Sequence, residues 1–185
     1  WQYWSGVLSD HRVNRIIEVG ESYPVAEAAL GFDGKTKSSG TRTSEIRWIH
    51  PYDDGGQEVQ TIVRRFAEQA NKNAFGFEAD YIPDLQYTKY SASDNGHYDW
   101  HIDTFWANPT AFDRKISVVI QLSDPNDYEG GDFMIDRQYP QPNPEEIKKK
   151  GSIIVFPSFI PHCVTPITKG ERRSLVSWVQ GPKFR

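Results

Sequence analysis

The apolar positions of this chain change their period once. Up to about residue 73 they recur at helical spacing, and from Leu85 onward they alternate with period two. Val13, Ile16 and Ile17 predict the inner face of a helix over 10–19, with Ser9 placed as its cap and Gly20 as its stop. Val59, Ile62, Val63, Phe66, Ala67 and Ala70 predict a second, amphipathic helix over 57–73. Residues 22–44 are rich in Gly, Ser and Thr and read as loop with a short strand; 45–49 reads as a strand. Further strands are expected over 85–90, 97–103, 115–122, 131–136, 152–156 and 172–179. Helices first and a run of short strands afterwards predict a mainly β protein with flanking helices. The expected core is a double-stranded β-helix (jelly-roll, cupin-like), with the helices backing one sheet and a pocket between the sheets. We expect one domain over 1–185, with 1–80 as helical support and 85–180 as the jelly-roll core.

Composition narrows the partners. A chain of 185 residues is long enough for one domain with a real core. Its net charge of −4, with no basic stripe, speaks against nucleic acid. No apolar stretch approaches the length of a membrane span, no signal peptide is visible, and the sequence begins at Trp1 rather than Met. Cys163 is the single cysteine, so no intrachain disulfide forms; a reducing, cytoplasmic setting is the expectation. The sequence is silent on oligomeric state. An aromatic content of 14% suits a β-rich core with an aromatic-lined pocket.

Against that background one pattern carries chemistry. His101 and Asp103 stand two apart on a predicted strand, so their side chains leave the same face while Ile102 turns away. His162 follows the apolar run 153–156 and the turn Pro157-Ser158-Phe159-Ile160-Pro161. Two imidazoles and one carboxylate make a facial triad that leaves positions open on an octahedral metal, the set associated with ferrous oxygen chemistry. A structural zinc site would be closed by thiolates, and one cysteine cannot supply them. Ten residues past His162 stands Arg172. On a regular strand Arg172, Ser174, Val176 and Trp178 share one face, and Arg173, Leu175, Ser177 and Val179 share the other. An inward arginine is costly without an anion, and its planar fork matches a carboxylate in two parallel hydrogen bonds.

Tyr90 to Asp103 (YSASDNGHYDWHID), Gly130-Gly131-Asp132-Phe133, and Phe156 to Trp178 together resemble the catalytic core of the prolyl 4-hydroxylase-like 2-oxoglutarate/iron(II) dioxygenases. Small bacterial and phage hydroxylases of PKHD type are the nearest subgroup. The resemblance spans roughly residues 85–180. It implies iron(II) on His101, Asp103 and His162, with 2-oxoglutarate as cosubstrate, O2 as oxidant and ascorbate as a reductant. It also implies Arg172 on the far carboxylate of 2-oxoglutarate, with Arg173 as the alternative anchor. Tyr90 and Gln121 take positions where the family contacts the cosubstrate, while a core tyrosine and a surface glutamine remain the plain alternatives. Trp178 takes the place of an aromatic residue lining the substrate pocket. Residues 104–114 resemble a loop that closes over peptide substrates, which makes Trp106 and Phe105 candidate contacts. Tyr98 and Trp100 flank the metal strand; a regular strand turns both away into packing, whereas a bulge would turn Tyr98 toward the substrate.

The implied reaction converts 2-oxoglutarate to succinate and CO2 while hydroxylating a C–H bond, and Asp103 favours hydroxylation over halogenation. A prolyl residue in a peptide or protein is the implied substrate. A free amino acid or small metabolite is the alternative, and a cupin-like module that binds without turnover is a third. Gly130-Gly131 reads as a tight turn, 139–144 as a surface hairpin connection, and the Lys148-Lys149-Lys150 run as a solvated face.

Overall fold

The computed structural model describes residues 1–26, 40–107 and 109–184, together with the backbone of 29–30 and 36–37. In chain order the elements are β1 (Gln2–Trp4), α1 (Asp10–Ser22), β2 (Ala29–Leu30), β3 (Thr36–Lys37), β4 (Arg42–Thr43), β5 (Glu45–Ile49) and α2 (Asp54–Ala70). There follow β6 (Leu85–Ser91), β7 (His97–His101), β8 (Phe112–Gln121), β9 (Tyr128–Gly130), β10 (Phe133–Ile135), α3 (Pro144–Lys148), β11 (Ile153–Pro157), β12 (His162–Val164) and β13 (Ile167–Pro182). The larger sheet runs β1-β11-β8-β13-β6-β5, with β9 also paired to β13; a smaller sheet runs β10-β12-β7-β4. Every pairing is antiparallel. The two sheets face each other across a cavity, to which β6, β13, β7 and β12 all contribute side chains. This is the expected jelly-roll.

Strand alternation sorts the core. On β13, Leu175 and Val179 join the apolar cluster that α1 and α2 share with the larger sheet, while Arg172, Ser174, Val176 and Trp178 line the cavity. On β6, Leu85 and Tyr87 pack toward the helices, and Gln86 and Tyr90 face the cavity. The helices therefore cover one face of the larger sheet and leave its other face free to build a site.

Several boundaries differ from expectation for identifiable reasons. Helix α1 runs through Gly20 to Ser22. The arginine of β5, Arg47, donates to the carbonyls of Glu21 and Tyr23, satisfying groups at and just beyond the end of that helix. Gly20 is a contact glycine rather than a stop: a Cβ there would lie 2.5 Å from the Tyr87 ring. Replacing Gly20 with alanine is expected to cost about 1–3 kcal/mol of stability through overpacking. Urea unfolding monitored by circular dichroism measures that loss. Helix α2 begins at Asp54, three residues before its expected start, with Gly55 and Gly56 in its first turn. Gly56 passes so close to the His50 carbonyl that no side chain fits, so contact overrides helix propensity. The stretch 139–144 leads into the short helix α3, where Asn143 accepts from the Glu145 amide and Pro144 occupies the first turn. Much of 22–44 lies outside the described residues. No described helix is long and apolar enough to cross a membrane.

Candidate metal and cosubstrate site

Local chain geometry brings His101, Asp103 and His162 together. His101 ends β7 directly opposite His162 in β12. Asp103 lies just past the strand end, where its amide donates to the Ser158 carbonyl at 2.8 Å. One ligand atom from each of the three lies within 4.8 Å of the others, a spacing that a single metal ion can span. His101 Nε2 is 3.6 Å from Asp103 Oδ1, and His162 Nε2 is 3.5 Å from Asp103 Oδ2.

The surroundings prepare these groups as ligands. His101 Nδ1 meets the Asp99 carbonyl at 2.7 Å, and His162 Nδ1 meets the Ile160 carbonyl at 2.9 Å. A carbonyl only accepts, so both Nδ1 atoms carry a proton, and the Nε2 atoms beside the carboxylate are the positions left for a metal. Burial, reinforced by His162, pushes the His101 pKa down to about 4, so the ring is neutral at pH 7. Burial also works against the charged form of Asp103. His162, His101, Arg114 and the Ser117 hydroxyl outweigh it, and its pKa stays below the ordinary value. Ser117 Oγ donates to Asp103 Oδ2 at 2.6 Å and lies 2.9 Å from Ser158 Oγ. One carboxylate oxygen is thereby occupied and the other is left for a metal. Replacing Ser117 with alanine is expected to weaken metal affinity about tenfold, as loss of such an outer support does elsewhere. Cobalt(II) titration followed in the visible spectrum would register the change.

The strand carrying His101 is not regular. His162 pairs with His101, but Val164 pairs with Tyr98, so Asp99 and Trp100 together oppose Cys163. This bulge reverses the facing expected from plain alternation. Tyr98 turns into the cavity and stacks on the His101 ring, with centroids 3.5 Å apart and planes 12° apart. Trp100 goes outward and is 49% exposed.

The cavity holds about 480 Å³, a volume suited to small ligands. Arg172 lines it and is 4% exposed. Its guanidinium carbon sits 5.8 Å from the Tyr90 ring centroid, and no described carboxylate is paired with it. Gly131 (φ 62°) allows that approach, since a Cβ there would lie 3.1 Å from Arg172 Cδ. Arg173 faces away from the cavity: Nη2 is 3.0 Å from Glu171, and Nε lies 3.5 Å from Glu21 without the alignment of a hydrogen bond. Gln121 is buried rather than on the surface. It donates to the Ser123 carbonyl and the Tyr128 hydroxyl, beside a void of about 20 Å³ that also touches Arg172. Trp178 lines the cavity with its Nε1 unpartnered. In the loop after Asp103, Phe105 reaches the cavity, whereas Trp106 is 59% exposed and leans on Phe184. Residue 108 of that loop lies outside the described residues.

Three charged groups that plain alternation did not single out also line the cavity: Arg42, Asp84 and Arg114. Arg42 comes from β4, in the stretch read as loop with a short strand. Arg114 follows from a second bulge. Val179 pairs with Ile116, but Gln180 pairs with Arg114, so Lys115 is an extra residue in β8. Without it Arg114 would share the helix-facing side of Ile116 and Val118.

Residues 85–180 match the family model described as the 2OG-Fe(II) oxygenase superfamily. The chain belongs to that superfamily. The PKHD-type hydroxylase NE2125 of Nitrosomonas europaea is 27% identical over 151 residues, covering 77% of this chain and 65% of its own length. The chain thus spans about two thirds of the Nitrosomonas relative. The PKHD-type hydroxylase YbiX of Escherichia coli is 26% identical over 180 residues, covering 95% of this chain and 76% of its own. Among solved structures, a prolyl-4-hydroxylase of Pseudomonas putida superposes with a TM-score of 0.71 at 20% identity, covering 99% of this chain and 93% of that one. A prolyl hydroxylase of Trichoplax adhaerens in complex with a hypoxia inducible factor oxygen degradation domain peptide superposes with a TM-score of 0.73 at 18% identity. It covers 96% of this chain and 82% of its own. The PKHD-type resemblance read from the motifs is borne out, and so is the jelly-roll. Superfamily membership implies iron(II), 2-oxoglutarate and O2. The residues present fit them: an imidazole and carboxylate donor set, and a buried arginine with no described carboxylate of its own.

Proposed function

We propose that this chain is an iron(II)- and 2-oxoglutarate-dependent hydroxylase acting on prolyl residues of a peptide or protein. His101 Nε2, His162 Nε2 and one oxygen of Asp103 would hold the iron. Bound there, iron with 2-oxoglutarate would supply activation of O2, one oxygen atom going into succinate as CO2 leaves and the other into a C–H bond of the substrate. The chain's own residues orient and shield that chemistry. Arg172 would take the far carboxylate of 2-oxoglutarate, with the Tyr90 ring against its guanidinium and Gln121 supporting from behind. Tyr98 and Trp178 would flank the substrate, and Trp106 on the outer loop would meet the parts of a longer peptide that stay outside.

The observation that carries this reading is an unpaired arginine, buried in the same cavity as the three ligands. A binding module would need the metal ligands but not that cation. A peptide substrate is supported by a neighbour of the same fold that was solved with a peptide. A reducing, cytoplasmic setting goes with iron(II) and with the buried, free thiol of Cys163. The test is succinate release from 2-oxoglutarate with iron and ascorbate, alongside mass spectrometry of proline-containing peptides. One added oxygen per succinate is expected. Succinate release stimulated by small metabolites while every proline peptide stays unmodified would move the substrate to a free small molecule.

A further inference from the structure

The cavity carries more positive charge than iron and 2-oxoglutarate can use. Three arginines (Arg42, Arg114, Arg172) and two aspartates (Asp84, Asp103) line it. A divalent ion and a dicarboxylate cancel each other, which leaves one positive charge over. Arg172 is assigned to the cosubstrate, and Arg42 is engaged with Ser44 and Gln86. The uncommitted cation is Arg114.

Arg114 is packed against aromatic rings. Its guanidinium carbon lies 3.7 Å from the Trp178 ring centroid and 5.4 Å from that of Phe105. It has no hydrogen bond and no carboxylate within ion-pair distance among the described residues. Burial lowers its pKa, with Asp103 and Asp84 drawing the other way. An arginine nonetheless stays protonated in a protein. Beside it, Trp178 Nε1 is a buried donor without an acceptor. A half-buried guanidinium and a buried indole donor thus face the same open cavity space. A carboxylate placed there would match both, where a neutral group would match the donors but not the charge. Asp84 offers weak compensation, because burial raises its pKa against the pull of Arg114. The Lys115 bulge turns Arg114 inward, and bulges recur where a strand re-aims a side chain beside a functional site.

We propose that Arg114 and Trp178 Nε1 form a second carboxylate-binding subsite, so that the substrate carries a free carboxylate close to the carbon that is oxidised. This rests on the hydroxylase reading: the prolyl group is at a chain end, which narrows the peptide reading, or is free proline, which replaces it, rather than one in mid-chain. An interior prolyl residue offers only a neutral carbonyl, which leaves the excess charge unanswered. Asp84 lines the same cavity and would be the group to meet the ammonium of a free amino acid, whereas the acylated nitrogen of a chain-end prolyl residue carries no hydrogen to offer it.

The test uses the protein loaded anaerobically with iron(II) and saturating 2-oxoglutarate, so that Arg172 is occupied. N-acetyl-L-proline and N-acetyl-L-prolinamide, similar in size and different in charge, are titrated by calorimetry. The acid is expected to bind at least about tenfold tighter, as a charge-assisted pair should against a neutral one. Arg114→Gln should remove that preference and Arg114→Lys should keep part of it. Equal binding of acid and amide by the unaltered protein overturns the subsite, whether or not the variants fold. A preference that survives Arg114→Gln does the same. Free L-proline in the same titration distinguishes the source: with Asp84→Asn, a loss confined to free proline identifies the free amino acid, and no loss identifies the chain end. The N-acetyl-L-alanine acid and amide pair separates the two readings. An acid preference there with no proline compound oxidised keeps the subsite and removes the prolyl substrate. Oxidation of a blocked, internal-proline peptide as fast as of its C-terminal-proline counterpart keeps the prolyl substrate and removes the subsite.

Discussion

Replacing His162 with alanine is expected to lower iron(II) affinity by at least about a hundredfold and to abolish 2-oxoglutarate turnover. Loss of an outer support alone costs about ten- to a hundredfold in metal sites, and loss of a direct ligand costs more. His162 is 5% exposed and its Nδ1 is committed to the Ile160 carbonyl, so its Nε2 cannot be replaced by a neighbouring donor without moving β12. Among the described residues, His101 and Asp103 are its only partners in a three-donor cluster. Two donors hold a divalent ion far less well than three. The substitution also leaves a gap beside Phe156, whose ring centroid is 4.7 Å away. Some loss of stability accompanies it, and circular dichroism and a melting curve must show the variant folded. Iron binding by calorimetry then carries the decision. Affinity unchanged in a folded variant would remove His162 from the metal.

The part of the site that obeys plain alternation was legible in the sequence. On β13 the even-numbered face from Arg172 to Trp178 reaches the cavity, because that stretch pairs regularly with β6 and with most of β8. His101 and Asp103 were legible because the spacing of two survives at the strand end. What departs from plain alternation lies at two bulges, the first of them kept open as an alternative for Tyr98 and the second not foreseen. One extra residue in β7 turns Tyr98 onto His101 and sends Trp100 outward; one extra residue in β8 turns Arg114 inward. A single-residue slip flips every side chain beyond it, and no local composition marks where it occurs. Asp84 and Arg42 escaped for a different reason: Asp84 lies just before β6, outside its alternating run, and Arg42 lies in a two-residue strand whose partner is distant in sequence. The helix ends were misjudged at glycines chosen for contact. Gly20 clears Tyr87, far away in sequence, and Gly56 clears the His50 carbonyl, brought close by the turn between them; composition marks neither contact.

Replacing Arg172 with alanine is expected to raise the 2-oxoglutarate concentration needed for half-maximal turnover about a hundredfold. Two charge-assisted hydrogen bonds to one carboxylate contribute together about 3 kcal/mol, and each 1.4 kcal/mol is tenfold. The effect should fall on cosubstrate binding rather than on iron, since Arg172 is absent from the donor cluster. Lysine at the same position keeps the charge but loses the fork, so Arg172→Lys should sit between the two. Arg173 is the internal control. Its pairing with Glu171 and Glu21 lies on the partly exposed far side of β13, where a salt bridge contributes less than about 1 kcal/mol. Arg173→Ala should therefore leave the 2-oxoglutarate requirement unchanged. The reverse outcome, a shift with Arg173→Ala and none with Arg172→Ala, would place the cosubstrate outside the cavity between the sheets. The opposite facings of these two neighbours follow from strand geometry alone, so the pair of variants tests whether the buried cation answers the dicarboxylate.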